Sequence, residues 1–144
     1  MAGQGTGDRG QGLELPQSVQ DDMLQDCRRR HPKEACGFLI ASAAGVICRA
    51  YPMTNVENTS IGYSMDPKEQ LRVEKELRQR QERVVGIYHS HVASPAVPSP
   101  VDIQQAISPD VSYIVVSTMN VAQPDVKSYR IDGTTVTAEE VRLV

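Results

Sequence analysis

The run Val84-Val85-Gly86-Ile87-Tyr88, followed at once by His89-Ser90-His91, constrains the fold of this chain more than any other stretch. A short, β-rich apolar run predicts a buried strand. Side chains along a strand repeat every two residues, so His89 and His91 project to the same side at its end. The spacing is unlike the helical H-E-x-x-H arrangement, in which two histidines share a helix face. Seven intervening residues lead to Ser99, and two more to Asp102. Two imidazoles and a carboxylate are the donor set with which a catalytic zinc keeps its fourth position open to water. A strand end must therefore carry two ligands, and a loop must return the third.

The surrounding pattern alternates helices with strands. Val19, Met23 and Cys27 recur at helical spacing and predict a helix over 16–30, closed by Arg28-Arg29-Arg30 and stopped by Pro32. The cations suit a helix C-terminus better than a nucleic acid, given the acidic balance of the chain. Strands are expected over 36–40 and 46–53, joined by a turn at 41–45. Asp66-Pro67-Lys68-Glu69 opens a second helix, with a capping Asp, an early Pro and Glu three residues after the cap. It should continue to about residue 83, with Glu74–Arg78 and Glu76–Arg80 paired along one face. A loop stiffened by Pro95, Pro98 and Pro100 leads to a short helix over 102–107, where the helix dipole favours an ionised Asp102. Strands over 111–118 and 126–131, a turn at Asp132-Gly133, a strand over 134–136 and a short addition at 141–144 complete the pattern. The fold class is α+β, a mixed and largely antiparallel sheet flanked by helices.

The 12 residues before this pattern hold five of the ten glycines, and read as a disordered tail over 1–12 ahead of a single domain over 13–144. That length suffices to bury about two-thirds of the unfolded surface. With one Phe and no Trp, the core rests on Val, Ile and Leu. A net charge of −3 gives no electrostatic reason to bind DNA or RNA. No apolar run approaches transmembrane length and no leader opens the chain, so a cytoplasmic location is expected. Cys27, Cys36 and Cys48 are odd in number and lack C-x-x-C spacing, which argues for buried small hydrophobes over a disulfide framework or a thiolate metal site.

His89-Ser90-His91, Ser99 and Asp102 match without gap or substitution the motif H-[ST]-H-x7-S-x2-D of the JAMM, or JAB1/MPN/Mov34, metalloproteases. Upstream, His31-Pro32-Lys33-Glu34-Ala35-Cys36-Gly37 resembles the glutamate segment of that family, and the likeness extends from about Pro16 to the C-terminus. Within the family the chain is most similar to the short bacterial members resembling Mec+. The resemblance implies the MPN fold, related to that of cytidine deaminases. It implies one Zn2+ with a bound water, held by His89, His91 and Asp102. It assigns Glu34 as the proton shuttle outside the metal shell, and Ser99 as the donor to the oxyanion.

The implied activity is hydrolysis of the bond after the C-terminal Gly-Gly of a small ubiquitin-like sulfur carrier, releasing cysteine or a short extension. The 23 residues from Asp102 to Pro124 leave little room for the long insertion of eukaryotic deubiquitinases, which favours a small carrier as partner. Two alternatives stand beside this reading: an isopeptidase acting on lysine-linked conjugates, and a scaffold without catalysis. Ser99 with Asp102 is also a helix capping box, and both roles can hold together. A serine nucleophile is disfavoured, because no further histidine occupies an evident base position. His31 is expected at the surface; by resemblance Asn55, Glu57 and Asn58 lie where the family shapes its substrate groove, with turn formation the preferred role.

Overall fold

The computed structural model describes residues 12–144. Along the chain lie β1 (Leu13–Leu15), α1 (Gln17–Arg30), β2 (Cys36–Ala41), β3 (Ile47–Met53), α2 (Pro67–Gln79) and β4 (Arg83–His91). Then follow α3 (Pro100–Gln105), β5 (Ser112–Ser117), β6 (Asp125–Asp132), β7 (Thr135–Glu139) and β8 (Val141–Leu143). Six strands form one sheet in the order β3-β2-β4-β5-β6-β7. In it β4 and β5 run parallel and every other neighbouring pair is antiparallel. The fold is therefore the mixed, largely antiparallel α+β class that the sequence predicts. β1 and β8 pair separately in parallel, Leu13 opposite Val141 and Leu15 opposite Leu143. The second of these is the short addition expected at 141–144, whereas Leu13–Leu15, with one apolar alternation, is too short to be read from sequence. Apart from Gly12, the tail expected over 1–12 lies outside the described residues.

The sheet separates two apolar layers. On one face α1 buries Val19, Met23 and Cys27 against Leu39, Tyr88, Ile114 and Val116. On the other, α2 buries Val73 and Leu77 against Cys36, Phe38 and Ile40. The cap of α2 is as expected, with the Asp66 carboxylate accepting from the Lys68 amide at 3.1 Å. The helix ends earlier than its charge pattern suggested. Gln81 adopts φ 59° and the Glu82 amide donates to the Leu77 carbonyl at 2.8 Å, so β4 can begin at Arg83. The charges also pair differently, Glu69 with Arg72 at 3.9 Å and Arg80 with Glu82 at 3.7 Å. Cys27 and Cys36 are buried, whereas Cys48 is exposed, because it lies on β3 at the sheet edge with its thiol 3.9 Å from Glu82.

One polar cluster interrupts the α1 layer. Asp26 is 3% exposed, and its carboxylate accepts from the Tyr88 hydroxyl at 2.7 Å and from the Arg30 Nη2 at 2.7 Å. Arg30 also donates to the Met53 carbonyl at 2.7 Å and to the Cys36 carbonyl at 2.8 Å. Arg30 thus turns inward, where the sequence suggested a solvated helix-end cation. Gly37 faces this cluster, and a Cβ there would run into the Tyr88 ring. Tyr88→Phe removes a hydrogen bond to a buried charge and is expected to lower stability by about 1.5–3 kcal/mol. Urea unfolding measures this; an unchanged midpoint would show that Asp26 does not depend on the phenol.

Candidate metal centre

The register of β4 against β2 builds one wall of the site. Cys36 lies opposite His89. Beyond it the Ser90 amide donates to the Ala35 carbonyl at 3.0 Å, and the Ala35 amide donates to the Ser90 hydroxyl at 2.8 Å. One further antiparallel step sets Glu34 against His91, on the face that His89 shares. On its other side β4 is held by β5, with His89 opposite Val115 and His91 opposite Ser117. Glu34, His89 and His91 are all buried.

The third candidate ligand returns at the start of α3. Ser99 caps that helix, its hydroxyl accepting from the Asp102 amide at 3.0 Å while Asp102 Oδ2 accepts from the Ser99 amide at 2.8 Å. The same Oδ2 lies 3.0 Å from His89 Nε2 and 2.9 Å from His91 Nε2, and the two Nε2 atoms are 3.2 Å apart. His91 Nδ1 lies 2.9 Å from the Pro95 carbonyl, an acceptor that fixes the proton on Nδ1. The Nε2 lone pair of neutral His91 then faces a carboxylate oxygen, a contact that requires a proton or a metal cation between them. His89, His91 and Asp102 each offer one ligand atom, all within 4.8 Å of one another. The donor set fits a small divalent cation.

Two groups support the site: Tyr63, which the sequence does not single out, and Asn55, which it marks only as a turn residue. Tyr63 stacks on His89, with ring centroids 4.5 Å apart and an interplanar angle of 23°. Asn55 organises the loop that carries Tyr63: its amide donates to the Glu34 and Gly62 carbonyls at 3.0 Å each, and its Oδ1 accepts from the Glu57 amide at 3.1 Å and the Ser64 amide at 3.0 Å. The turn expected at 55–58 exists, with Asn58 at φ 52°. His31, expected at the surface, is half-buried with Nδ1 2.9 Å from the Thr118 hydroxyl. The Thr118 amide in turn donates to the His91 carbonyl at 2.8 Å, so His31 braces the strand end from behind.

Electrostatics divide the labour. Burial pushes the His89 pKa down despite the nearby Asp102, keeping the imidazole neutral. Burial pulls on His91 too, but the Asp102 carboxylate and the Pro95 carbonyl outweigh it and raise its pKa. For Asp102 burial is overcome by hydrogen bonds from His89, His91 and the Ser99 amide, which hold the carboxyl far below the usual carboxylate range. Glu34 is pushed up to about 7 by burial, partly opposed by His91 and reinforced by Asp102 and Glu57. Burial raises Cys36 to about 12, so its thiol stays protonated near neutral pH.

A family model described as prokaryotic homologues of the JAB domain matches residues 16–132. The CysO-cysteine peptidase of Mycobacterium tuberculosis is 41% identical over 123 residues, covering 85% of this chain and 84% of that protein. The desampylase of Haloferax volcanii is 32% identical over 111 residues, covering 73% and 80%. A Desulfitobacterium hafniense protein of known solution structure superposes with a TM-score of 0.82 at 35% identity, covering 92% of each chain. No helix among the described residues is long and apolar enough to cross a membrane.

Elemental analysis is expected to find about one divalent ion per chain, falling to near zero in His89→Ala; retention of the metal by that variant would remove His89 from the ligand set. In the metal-free protein the Glu34 carboxyl should titrate near 7, against 4.5 for its unperturbed value. The folded pKa is raised, so ionising Glu34 between those values costs stability, and the cost is complete above the folded pKa. Glu34→Gln should therefore raise the melting temperature of the metal-free protein at about pH 8 and leave it unchanged at about pH 4. Carboxyl NMR and thermal unfolding at the two pH values check this.

Proposed function

We propose that this chain, which belongs to the family of prokaryotic JAB-domain homologues, is a zinc-dependent peptidase acting on a small ubiquitin-like sulfur carrier. It cleaves the bond after the carrier's C-terminal Gly-Gly, releasing cysteine or a short extension. The observation that carries this reading is the convergence of His89, His91 and Asp102 within 4.8 Å, with Glu34 set beside His91 by the strand register. The similarity to the CysO-cysteine peptidase over 85% of the chain supports the choice of substrate. Three free cysteines suit a reducing, cytoplasmic setting.

Zinc held by His89, His91 and Asp102 would supply a Lewis acid and an activated water at neutral pH. The other roles belong to the chain. Glu34, with a pKa near neutrality, accepts the proton of the attacking water and passes it to the departing amine nitrogen. The carbonyl carbon gains the oxygen of water as its bond to that nitrogen breaks. Ser99 already accepts a hydrogen bond from the Asp102 amide, so its hydroxyl proton remains to be donated to the oxyanion. A cavity of about 550 Å3 on the α2 side has Tyr63, which stacks on His89, in its wall together with Gln105 and Tyr113, and offers a seat for the carrier tail. Glycines in that tail would let its backbone pass close to the metal. Hydrolysis of a lysine-linked conjugate would use the same groups and differ only in the departing amine.

The test is intact-mass analysis of a Gly-Gly carrier bearing a C-terminal cysteine, incubated with zinc-loaded protein. Loss of the cysteine mass is expected, abolished by a chelator and reduced about 10²–10⁴-fold by Glu34→Gln with zinc retained. Ser99→Ala should slow turnover about 10²–10³-fold. Undiminished cleavage by Glu34→Gln would remove Glu34 from the proton path, and no cleavage by zinc-loaded wild type would overturn the carrier reading.

A further inference from the structure

A second cavity, of about 830 Å3, opens beside Glu34. Its wall includes Arg29, Arg30, Lys33, Thr54 and Asn55, and Glu34 is the one member of the candidate site that lines it. Glu34 therefore borders this cavity and also feels the charges of His91 and Asp102. The geometry of the reaction makes that position informative. Glu34 must deliver its proton to the departing amine, so the departing group has to lie on the side of the site that Glu34 borders.

Besides Glu34 and Asn58, five side chains of the cavity wall carry polar or charged groups, and three of them are already engaged. Arg30 is spent on Asp26 and on the carbonyls of Met53 and Cys36. Asn55 uses its amide and its Oδ1 within the loop, and the Thr54 hydroxyl donates to Glu69 at 2.9 Å. Arg29 bonds Asp26 through Nη2 alone, at 2.7 Å, and its side chain is 68% exposed. Lys33 is exposed, and among the described residues its ammonium has no ion-pair partner. A cavity bordered by the proton donor thus presents two cations with unused donors, and one of them is the immediate chain neighbour of that donor.

When a single amino acid is released, its amine nitrogen and its carboxylate carbon are only two bonds apart. We infer that this cavity seats the departing amino acid and that Lys33, with Arg29, binds its free α-carboxylate. The assignment rests on the peptidase reading above and sharpens it: the enzyme is selective for a single C-terminal residue after Gly-Gly. A lysine-linked conjugate or a longer extension carries no carboxylate at that position and leaves the cations unpaired. Lys33 is then a specificity-determining residue, one that binds the departing group without taking part in bond cleavage.

The test compares a carrier ending in Gly-Gly-Cys with the same carrier ending in Gly-Gly-Cys-amide. Zinc-loaded wild type is expected to favour the free acid by about tenfold in kcat/KM, a ratio that Lys33→Met brings to about one and Lys33→Glu inverts. A second arm reads binding without turnover. In zinc-loaded Glu34→Gln protein, the tripeptide Gly-Gly-Ala should shift the backbone amide resonances of Lys33 and Asn55, and its C-terminal amide should not. Equal cleavage of acid and amide by wild type, or an acid preference unchanged in Lys33→Met, overturns the subsite while the peptidase stands. Resonance shifts specific to the acid, with neither carrier cleaved, support the carboxylate seat and overturn the carrier reading instead.

Discussion

The carboxylate of Asp26 is the point on which the rest of this architecture hangs. It receives the Tyr88 hydroxyl from the central strand and the Arg30 guanidinium from its own helix, and Arg30 then reaches the carbonyls of Cys36 and Met53. One buried ion pair so fixes α1 against β4, β2 and β3 together. Such a pair gains little over an apolar replacement, but removing one partner strands a buried charge at a cost of about 3–5 kcal/mol. Its position matters more than its net energy. Cys36 lies opposite His89 and Tyr88 precedes it, so the cluster lies directly behind the strand end that carries the imidazoles. Gly37 completes the arrangement by leaving room for the phenol.

The groups of the site divide by charge as well as by position. His89 is kept neutral by burial, Asp102 is kept ionised by its hydrogen bonds, and Glu34 is poised near neutrality by desolvation. Three titratable groups within one cleft thus occupy three different states at the same pH. This separation of acid and base behaviour by environment is what proton-transfer chemistry requires. The backbone enforces it: Glu34 is held by its amide on the Thr59 carbonyl at 2.7 Å and by its carbonyl on Asn55.

Much of the centre was legible in sequence because its elements are local. His-x-His at the end of an apolar run states its own geometry, and Ser99 with Asp102 announces a helix start that the structure contains. Glu34 carries no such signal. It reaches His91 through the pairing of Ala35 with Ser90, 55 residues apart, and only the family resemblance pointed to it. Tyr63 and Asn55 are likewise products of a loop conformation, and Asp26 reads as one more polar helix residue until Tyr88 is set against it. The end of α2 is not legible in sequence, because the left-handed Gln81 is not a residue that composition marks as a stop. Cys48 was expected inside because edge and interior strands are not told apart by local pattern.

The capping box at α3 gives Ser99 and Asp102 a structural task of their own. Asp102 Oδ2 is at once the cap partner of the Ser99 amide and the oxygen nearest both imidazoles. A descendant that abandoned catalysis could retain the serine and the aspartate simply to start that helix. Their persistence would then be a fossil of architecture, and the two histidines, together with the glutamate, would carry the diagnostic weight for a working enzyme.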